Sequence, residues 1–420
     1  MNVSNILLRI GARWKNVLLK IFPYSLLRRI KGRMIKKSFA YLESAEIEPF
    51  SREKYTDGIN LIGNIRAETG LGQSCRLVAD ELEASGIPYS IYPYEQLGSM
   101  QEGNYEKYNS KICDQLPYNV NLIHINPHEL GLVFQQNREK IWNGRYNIGF
   151  WLWELEEFPD EWTPCFRCVD EIWTPSEFIS RAVRKKTDKP VITIPYHVEA
   201  VPGDFTRGDF GLPEDLFLFL MMYDKNSMTE RKNPMAVIAA YKKAFRPDEP
   251  AGLVIKCGSC DAQELEALRS ELAGYEHIYF VTETLSREKV NSLISLVDVA
   301  VSLHRAEGFG LVMAEAMFMG TPVIATNWSS NTEFMTPETA CMVGYRMVQL
   351  KQDYGVFKKG NWWADPDVDE AAGYMRKLYG DKAFYIKKTL KAGQYIRDKL
   401  SFENATLTIC KRIVCIYEKY

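Results

Sequence analysis

The chain has 420 residues, 46% of them hydrophobic and 25% charged, which is ordinary for a globular protein and long enough for two domains. Its formal net charge of −2 hides an asymmetry: residues 1–42 carry ten Lys or Arg and no acid, leaving 42 basic against 54 acidic residues in the remainder. A body this acidic is a poor nucleic-acid binder, and no run of 18 apolar residues exists to span a bilayer.

At the N-terminus Leu7, Ile10, Trp14, Val17, Leu18 and Ile21 recur at helical spacing, with Arg9, Arg13, Asn16 and Lys20 on another face. A basic amphipathic helix of this kind can lie in a membrane interface and attract anionic lipid, or pack on the body with its basic face in water. We expect peripheral membrane contact through residues 1–38, and no cleavable signal, because basic residues interrupt the apolar segment. Residues 1–48 read as this helical extension.

From residue 49 to 205 strand-like and helical runs alternate: strands over 59–65, 89–94, 120–126, 147–153, 171–174 and 191–196, helices over 71–84 and 176–185. Residues 201–214, with two prolines, three glycines and several acids, read as a linker. A second series spans 206–395, with strands over 216–223, 252–256, 278–281 and 299–303 and helices over 234–245, 262–273, 287–296 and from about Leu311. Residues 396–420 read as a closing helix. Alternation of this kind predicts α/β architecture, two Rossmann-like doubly wound parallel sheets facing a cleft.

Nine cysteines make an odd number at low density, which suits a reducing cytoplasm. Two Cys-x-x-Cys pairs, Cys165/Cys168 and Cys257/Cys260, have the count of a four-thiolate zinc site. The first pair falls in an expected helix and the second starts at a strand end about ninety positions later, so all four are expected to be packing residues, without metal.

The most informative run is His304-Arg305-Ala306-Glu307-Gly308-Phe309-Gly310-Leu311-Val312, continuing to Glu315. A strand feeds a glycine turn and then a helix, whose first N–H groups attract anionic oxygens while the glycines admit a ligand to the backbone. At the helical rise Glu307 and Glu315 stand roughly 12 Å apart. That is too far for a glycosidase pair, at about 5 to 9.5 Å, and suits the two ends of one long ligand, such as the hydroxyls on either side of the diphosphate of a nucleotide-sugar. Arg231 and Lys232 precede Asn233-Pro234, a helix start, where fixed cations can stabilise a leaving diphosphate. In the first unit Gly70-x-Gly72-x-x-Cys75, with Glu95 about twenty residues on, is an incomplete dinucleotide fingerprint, and no Walker-type loop occurs. His124 ends a strand, and Trp151, Trp153 and Glu154 follow another.

These motifs resemble the Glu-seven-residues-Glu signature and the Arg-Lys-Asn-Pro run of family 4 glycosyltransferases, which are retaining enzymes with the GT-B fold. The resemblance covers residues 55–400. It implies that Glu307 contacts the donor sugar and Glu315 the ribose, with Gly308, Phe309, Gly310, Leu311 and Val312 along the donor. Arg231 and Lys232 fall on diphosphate-binding positions, Gly70 and Gly72 face the donor phosphates and sugar, His124 contacts the transferred sugar, and Thr284 and Leu285 lie at the base. The family often has a further Arg near the first strand end of this unit, where Asp224, Asn226 and Ser227 stand here. Trp151, Trp153 and Glu154 are acceptor candidates, although the two tryptophans suit a place in the core as well as stacking on a sugar. The implied partners are a nucleotide-sugar donor and a saccharide or lipid-linked acceptor, with no metal or other cofactor. The implied activity is hexose transfer in polysaccharide biosynthesis, in the cytoplasm and peripherally on the inner membrane face. A catalytically silent module of the same fold, binding nucleotide-sugar or polysaccharide, is the alternative.

Overall fold

The computed structural model describes residues 24–94, 103 and 105–420. The stripe from Leu7 to Ile21 and Glu95 lie outside them. The first described helix, α1 (Tyr24–Ser44), turns Ser38 and Leu42 inward and sets Phe39 against Gly131, while Arg33, Lys36 and Lys37 face solvent. No helix among the described residues is long and apolar enough to cross a membrane.

Two parallel six-stranded sheets follow, as the alternation predicts. In the first the order is β2-β1-β3-β4-β5-β6, built from β1 (Thr56–Gly63), β2 (Tyr89–Pro93), β3 (Tyr118–His124), β4 (Tyr146–Phe150), β5 (Glu171–Thr174) and β6 (Val191–Thr193). Helices α2 (Gly70–Ser85), α3 (Pro127–Ile141) and α4 (Glu177–Arg184) connect them. Strands buried on both faces need near-continuous apolar runs, and Ile59, Leu61 and Ile62 of β1 are all fully buried. The exception is a polar ladder: Asn60 donates to Asn121 (2.9 Å) and Asn121 to Asn147 (2.8 Å), across three register-matched strands. Each amide is satisfied, so the ladder fixes register without leaving a buried group unpaired.

The second sheet has the order β12-β11-β10-β7-β8-β9. Its strands are β7 (Phe217–Asp224), β8 (Ala251–Gly258), β9 (Ile278–Val281), β10 (Val299–Ser302), β11 (Val323–Thr326) and β12 (Cys341–Val343). The connecting helices are α5 (Thr229–Lys232), α6 (Pro234–Ala244), α7 (Ala262–Glu271), α8 (Arg287–Leu296) and α9 (Leu311–Met319). A two-stranded antiparallel ribbon, β13 (Tyr345–Gln349) with β14 (Trp362–Pro366), was not expected from the sequence. β13 is exposed or half-buried with no core-facing alternation, while Trp363 and Ala364 of β14 are buried; tertiary contacts hold the ribbon, with Ala364 N–H donating to Arg305 O (3.0 Å). Cys165 and Cys168, expected on a helix after Pro164, lie instead in 3₁₀ turns over Asp160–Cys168, where the missing N–H and ring of Pro164 disfavour an α-helical interior.

Helices α10 (Val368–Gly380) and α11 (Lys382–Lys399) cover the second sheet, and α12 (Phe402–Lys419) packs against α2 of the first domain. There the Arg412 guanidinium pairs with Glu171, a fully buried carboxylate that also accepts from Tyr146 Oη (3.0 Å) and Trp173 Nε1 (2.6 Å). Removing one member of a buried pair strands the other charge. Arg412→Ala should lower the unfolding free energy by roughly 3 kcal/mol, the low end for buried pairs because the guanidinium is partly exposed; urea unfolding monitored by circular dichroism measures it.

Candidate active site

In a doubly wound sheet the ligand crevice opens where consecutive connections leave in opposite directions. In the second sheet this point lies between β7 and β10, and in the first between β1 and β3. The loops at the carboxyl ends of those four strands are the ones bearing Arg231 and Lys232, Glu307, the Gly70 loop and His124.

The loops after β7 and β10 are tied together before any side chain meets a ligand. Asn233 adopts a left-handed conformation (φ 56°) and, instead of capping α6 with its side chain, donates from Nδ2 to Leu303 O (3.0 Å). Arg231 Nη1 donates to Ala306 O (2.7 Å), and Arg305 N–H to Arg231 O (2.8 Å). Met228, at φ 72°, makes the sharp entry into α5. A residue other than glycine at positive φ costs on the order of 1 kcal/mol or more, so these two positions are held by their surroundings.

The result is a compact charge cluster. Lys232 Nζ pairs with Glu307 Oε1, and Arg231 Nη1 lies 3.4 Å from Glu307 Oε2. From the first domain, Glu154 Oε1 stands 3.9 Å from Arg231 Nη2. Burial works against ionising Glu307, but Lys232, Arg231 and His304 outweigh it and hold its pKa down to about 2. Burial, reinforced by Arg231, pushes the Lys232 pKa down against the pull of Glu307. Burial also raises Glu154, opposed by Arg231. The backbone of Glu307 is fixed as well, its N–H donating to Ser329 Oγ (2.9 Å) and its carbonyl accepting from Ser330 Oγ (2.8 Å).

Both domains grip the glycine turn. Ser176, at the start of α4, places Oγ 3.0 Å from Gly308 O and 3.0 Å from Ser330 Oγ. Glu333 of the second domain accepts from the N–H groups of Glu177 (2.9 Å) and Phe178 (2.7 Å), so its carboxylate caps a helix of the first. A Cβ on Gly308 would stand 3.0 Å from Trp153 O. Phe309 packs edge-on against Tyr196 of the first domain, and Gly310 (φ 100°) turns the chain into α9. The start of α9 leaves the amides of Leu311 and Val312 without partners inside the helix. Glu315, one turn on, is buried and pairs with Arg287, the first residue of α8. Thr284 is exposed and Leu285 buried just ahead of α8.

Several expected site residues have a different local role. Trp151 and Trp153 are core residues: Trp151 packs with Phe158 and Phe166, Trp153 with Trp162 and Phe357, so neither offers a free ring face to a sugar. Large aromatics just past β4 are drawn into the hydrophobic layer beneath the cleft, and only Glu154 reaches toward it. Gly72 is required internally, since a Cβ there would fall 1.8 Å from Ala67 O, while Thr69 Oγ1 caps the Gly70 turn by accepting from Gly72 N–H (3.1 Å). His124 is 2% exposed, with Nε2 2.6 Å from Ser74 Oγ and its ring stacked on Phe150. Cys257 and Cys260, expected as packing residues, stand side by side with Cα atoms 5.9 Å apart, whereas Cys165 and Cys168 are buried free thiols of the first domain. Glu264 makes the 257/260 pair a three-residue group able to hold a metal, but its carboxylate already accepts from Tyr223 and Thr229 and lies 3.3 Å from Lys225 Nζ. Sequence reasoning missed Arg287, Ser176, Ser329, Ser330 and Glu333, which only folding brings to the site. The Ser-Ser-Asn-Thr-Glu run after β11 carried a loop signal and no chemical one.

Residues 204–399 match the model of the family described as glycosyl transferases group 1. No curated protein matches the chain. Among solved structures the chain is similar to sucrose-phosphate synthase from Thermosynechococcus elongatus, with TM-score 0.63 and 16% identity, covering 87% of this chain and 100% of that one. It is similar to Anabaena HepE in complex with UDP and glucose, with TM-score 0.63 and 12% identity, covering 86% and 100%. It is also similar to an S. aureus TarM mutant in complex with Fondaparinux, alpha-GlcNAc-glycerol and UDP, with TM-score 0.52 and 12% identity over 73% of this chain. The chain spans only 57% of the length of that TarM. What is shared is the fold: two facing Rossmann-like domains in the GT-B arrangement.

Burial pushes the His124 pKa down from 6.5 to about 4. The unfolded chain therefore binds the extra proton between these values, and stability present above pH 6.5 is lost as the pH falls toward 4. This group should account for up to roughly 3 kcal/mol of that loss, and His124→Gln should remove its share of the slope in denaturant unfolding measured at pH 7 and at pH 4.5.

Proposed function

We propose that the chain is a retaining glycosyltransferase that moves a hexose from a nucleotide-diphosphate sugar to a hydroxyl of a saccharide or lipid-linked saccharide in polysaccharide biosynthesis. The observation that carries this reading is an ionised Glu307 held between Arg231 and Lys232 at the switch point of the second sheet. The match to glycosyl transferases group 1, and similarity to HepE and TarM, solved with UDP, support a nucleotide-sugar as donor.

Breaking the bond between sugar and diphosphate develops negative charge on the leaving oxygens. Arg231 and Lys232 are already desolvated and oriented, so they stabilise that charge with little reorganisation. The amides of Leu311 and Val312 add donors on the same side. Glu307 holds hydroxyls of the donor sugar, and in doing so sets the distance between the anomeric carbon and the two cations. The leaving phosphate takes the proton of the acceptor hydroxyl on the face it vacates, which retains the anomeric configuration and calls for no protein nucleophile. Contact between the domains through Ser176 and Glu333 brings donor and acceptor into one geometry. His124 presents no exposed nitrogen in this arrangement, so we assign it to supporting the Ser74 end of the cleft.

Glu307→Gln and Lys232→Ala should each lower kcat/KM by about 10²-fold or more, roughly 2.7 kcal/mol of transition-state stabilisation. Release of nucleoside diphosphate in the presence of acceptor, with NMR of the new anomeric centre, measures both turnover and stereochemistry. Unchanged turnover in either variant, or an inverted product, contradicts the proposal, and donor binding without release identifies a silent binding module. The chain should work in the cytoplasm against the inner membrane face, held there by residues 1–38 and assisted by the exposed cations Arg33, Lys36 and Lys37. Removing residues 1–38 should abolish co-sedimentation with anionic vesicles at low salt; unchanged binding refutes the attachment.

A further inference from the structure

The β13–β14 ribbon belongs by sequence to the second domain, yet its Leu350, Phe357 and Trp363 sit in the apolar cluster that also holds Trp151, Trp153, Phe158 and Trp162 of the first. The turn between its strands is tight: Tyr354 and Phe357 exchange N–H···O bonds (2.8 and 2.9 Å), and the Trp363 and Tyr354 rings lie 5.2 Å apart. The ribbon is fastened to the loop after β10 as well. Arg305 Nη2 pairs with Asp365 (3.0 Å), and its guanidinium lies 5.3 Å from the Trp363 ring centre. Phe357 is thereby held in one place.

Its ring joins the two domains at the charge cluster. The ring centre is 5.4 Å from that of Trp153 in the first domain and 6.0 Å from Cζ of Arg231 in the second. Phe357 is 4% exposed and the Arg231 side chain 5%, against 23% for Lys232. Two edges of the guanidinium are already fixed by backbone, since Nε donates to Ser227 O (3.2 Å) and Nη1 to Ala306 O (2.7 Å). The aromatic ring adds no hydrogen bond. What it adds is the removal of water beside the cation, and in a drier layer a charge acts through a lower effective dielectric.

Resting on the donor site argued above, we propose that Phe357 is a positioning residue of the charge cluster: packed against Trp153, it covers the Arg231 guanidinium and excludes water from it. The Arg231 charge then acts undiluted on Glu307 and on the phosphates that meet the cluster at Lys232, the more open cation. The dry layer exists only while the domains are together, because Trp153 comes from one and Arg231 from the other. Position 357 therefore requires apolar volume and no particular polar group.

The test uses the full chain and whichever of UDP, GDP and ADP stabilises the wild type, together with the corresponding nucleoside monophosphate, both Kd values being measured by isothermal titration calorimetry. The wild type should prefer the diphosphate by about 10-fold or more, the range of a hydrogen bond to a charged group. In Phe357→Ala, which admits water, the preference should fall below about 3-fold, because hydrated charges attract more weakly. Phe357→Leu keeps the gap nearly filled and should retain about half of the wild-type preference or more. A role confined to packing the domains would weaken both nucleotides alike and leave the ratio intact. A wild-type ratio in a folded Phe357→Ala protein, or an equal loss in the Leu and Ala variants, overturns the proposal. Should Phe357→Ala fail to fold, Phe357→Val, which leaves a smaller cavity, takes its place under the same criterion. A wild type that binds none of the three nucleotides, or does not distinguish diphosphate from monophosphate, overturns the donor-site reading and this inference with it. A normal wild-type preference that the variants leave unchanged overturns only the role of Phe357.

Discussion

The structure at the cleft depends on a buried carboxylate, Glu307, ionised between two cations. Removing three charges from water is costly, and their attraction offsets that cost only when geometry and hydrogen bonding are nearly complete. Much of the surrounding architecture supplies that completeness. Arg231 is spent on Ser227 O and Ala306 O as well as on Glu307, and the Glu307 backbone is bonded to Ser329 and Ser330. A cluster held by so many contacts is preorganised, which is the condition for it to act on a transition state instead of relaxing around a ground state.

Topology explains why these residues meet. Arg231 and Glu307 are 76 positions apart, yet β7 and β10 are neighbours, and their carboxyl ends are where the helical connections diverge. The left-handed Asn233 and Met228 are local costs accepted at that divergence, sustained by the Asn233 bond to Leu303 O and by the stitched loops. Conformational strain of this kind gathers where chain direction must change beside a ligand.

The two domains meet through the same turn that holds the charges. Ser176 touches the carbonyl next to Glu307, and Glu333 closes the start of α4, so the relative position of the domains is coupled to the geometry of the cluster through hydrogen bonds one or two residues long. On the other side α12 returns to the first domain, where Glu171 anchors it through Arg412. The two domains are therefore joined twice: by polar contacts at the cleft, and at the amino end of β5 by a buried ion pair with helix packing.

The alternation of apolar strand runs with helical spacing was readable locally, because hydrophobic period and glycine or proline punctuation are properties of a few adjacent residues. So were the strand-turn-helix at Glu307 and the cations ahead of Pro234, since anion-binding amides and fixed charges need only short-range sequence. The β13–β14 ribbon escaped because its strands owe their existence to Arg305 and Trp363 contacts and not to their own pattern. Trp151 and Trp153 looked equally suited to a sugar platform or to a core, and only the packing of Phe158, Phe166, Trp162 and Phe357 around them decided it. Sequence by itself determined the two-sheet α/β class and the chemical character of the cleft. Tertiary structure alone decided which carboxylate meets which cation, and that Arg287, Ser176 and Glu333 belong to the site, because burial and long-range pairing depend on distances that no local pattern encodes.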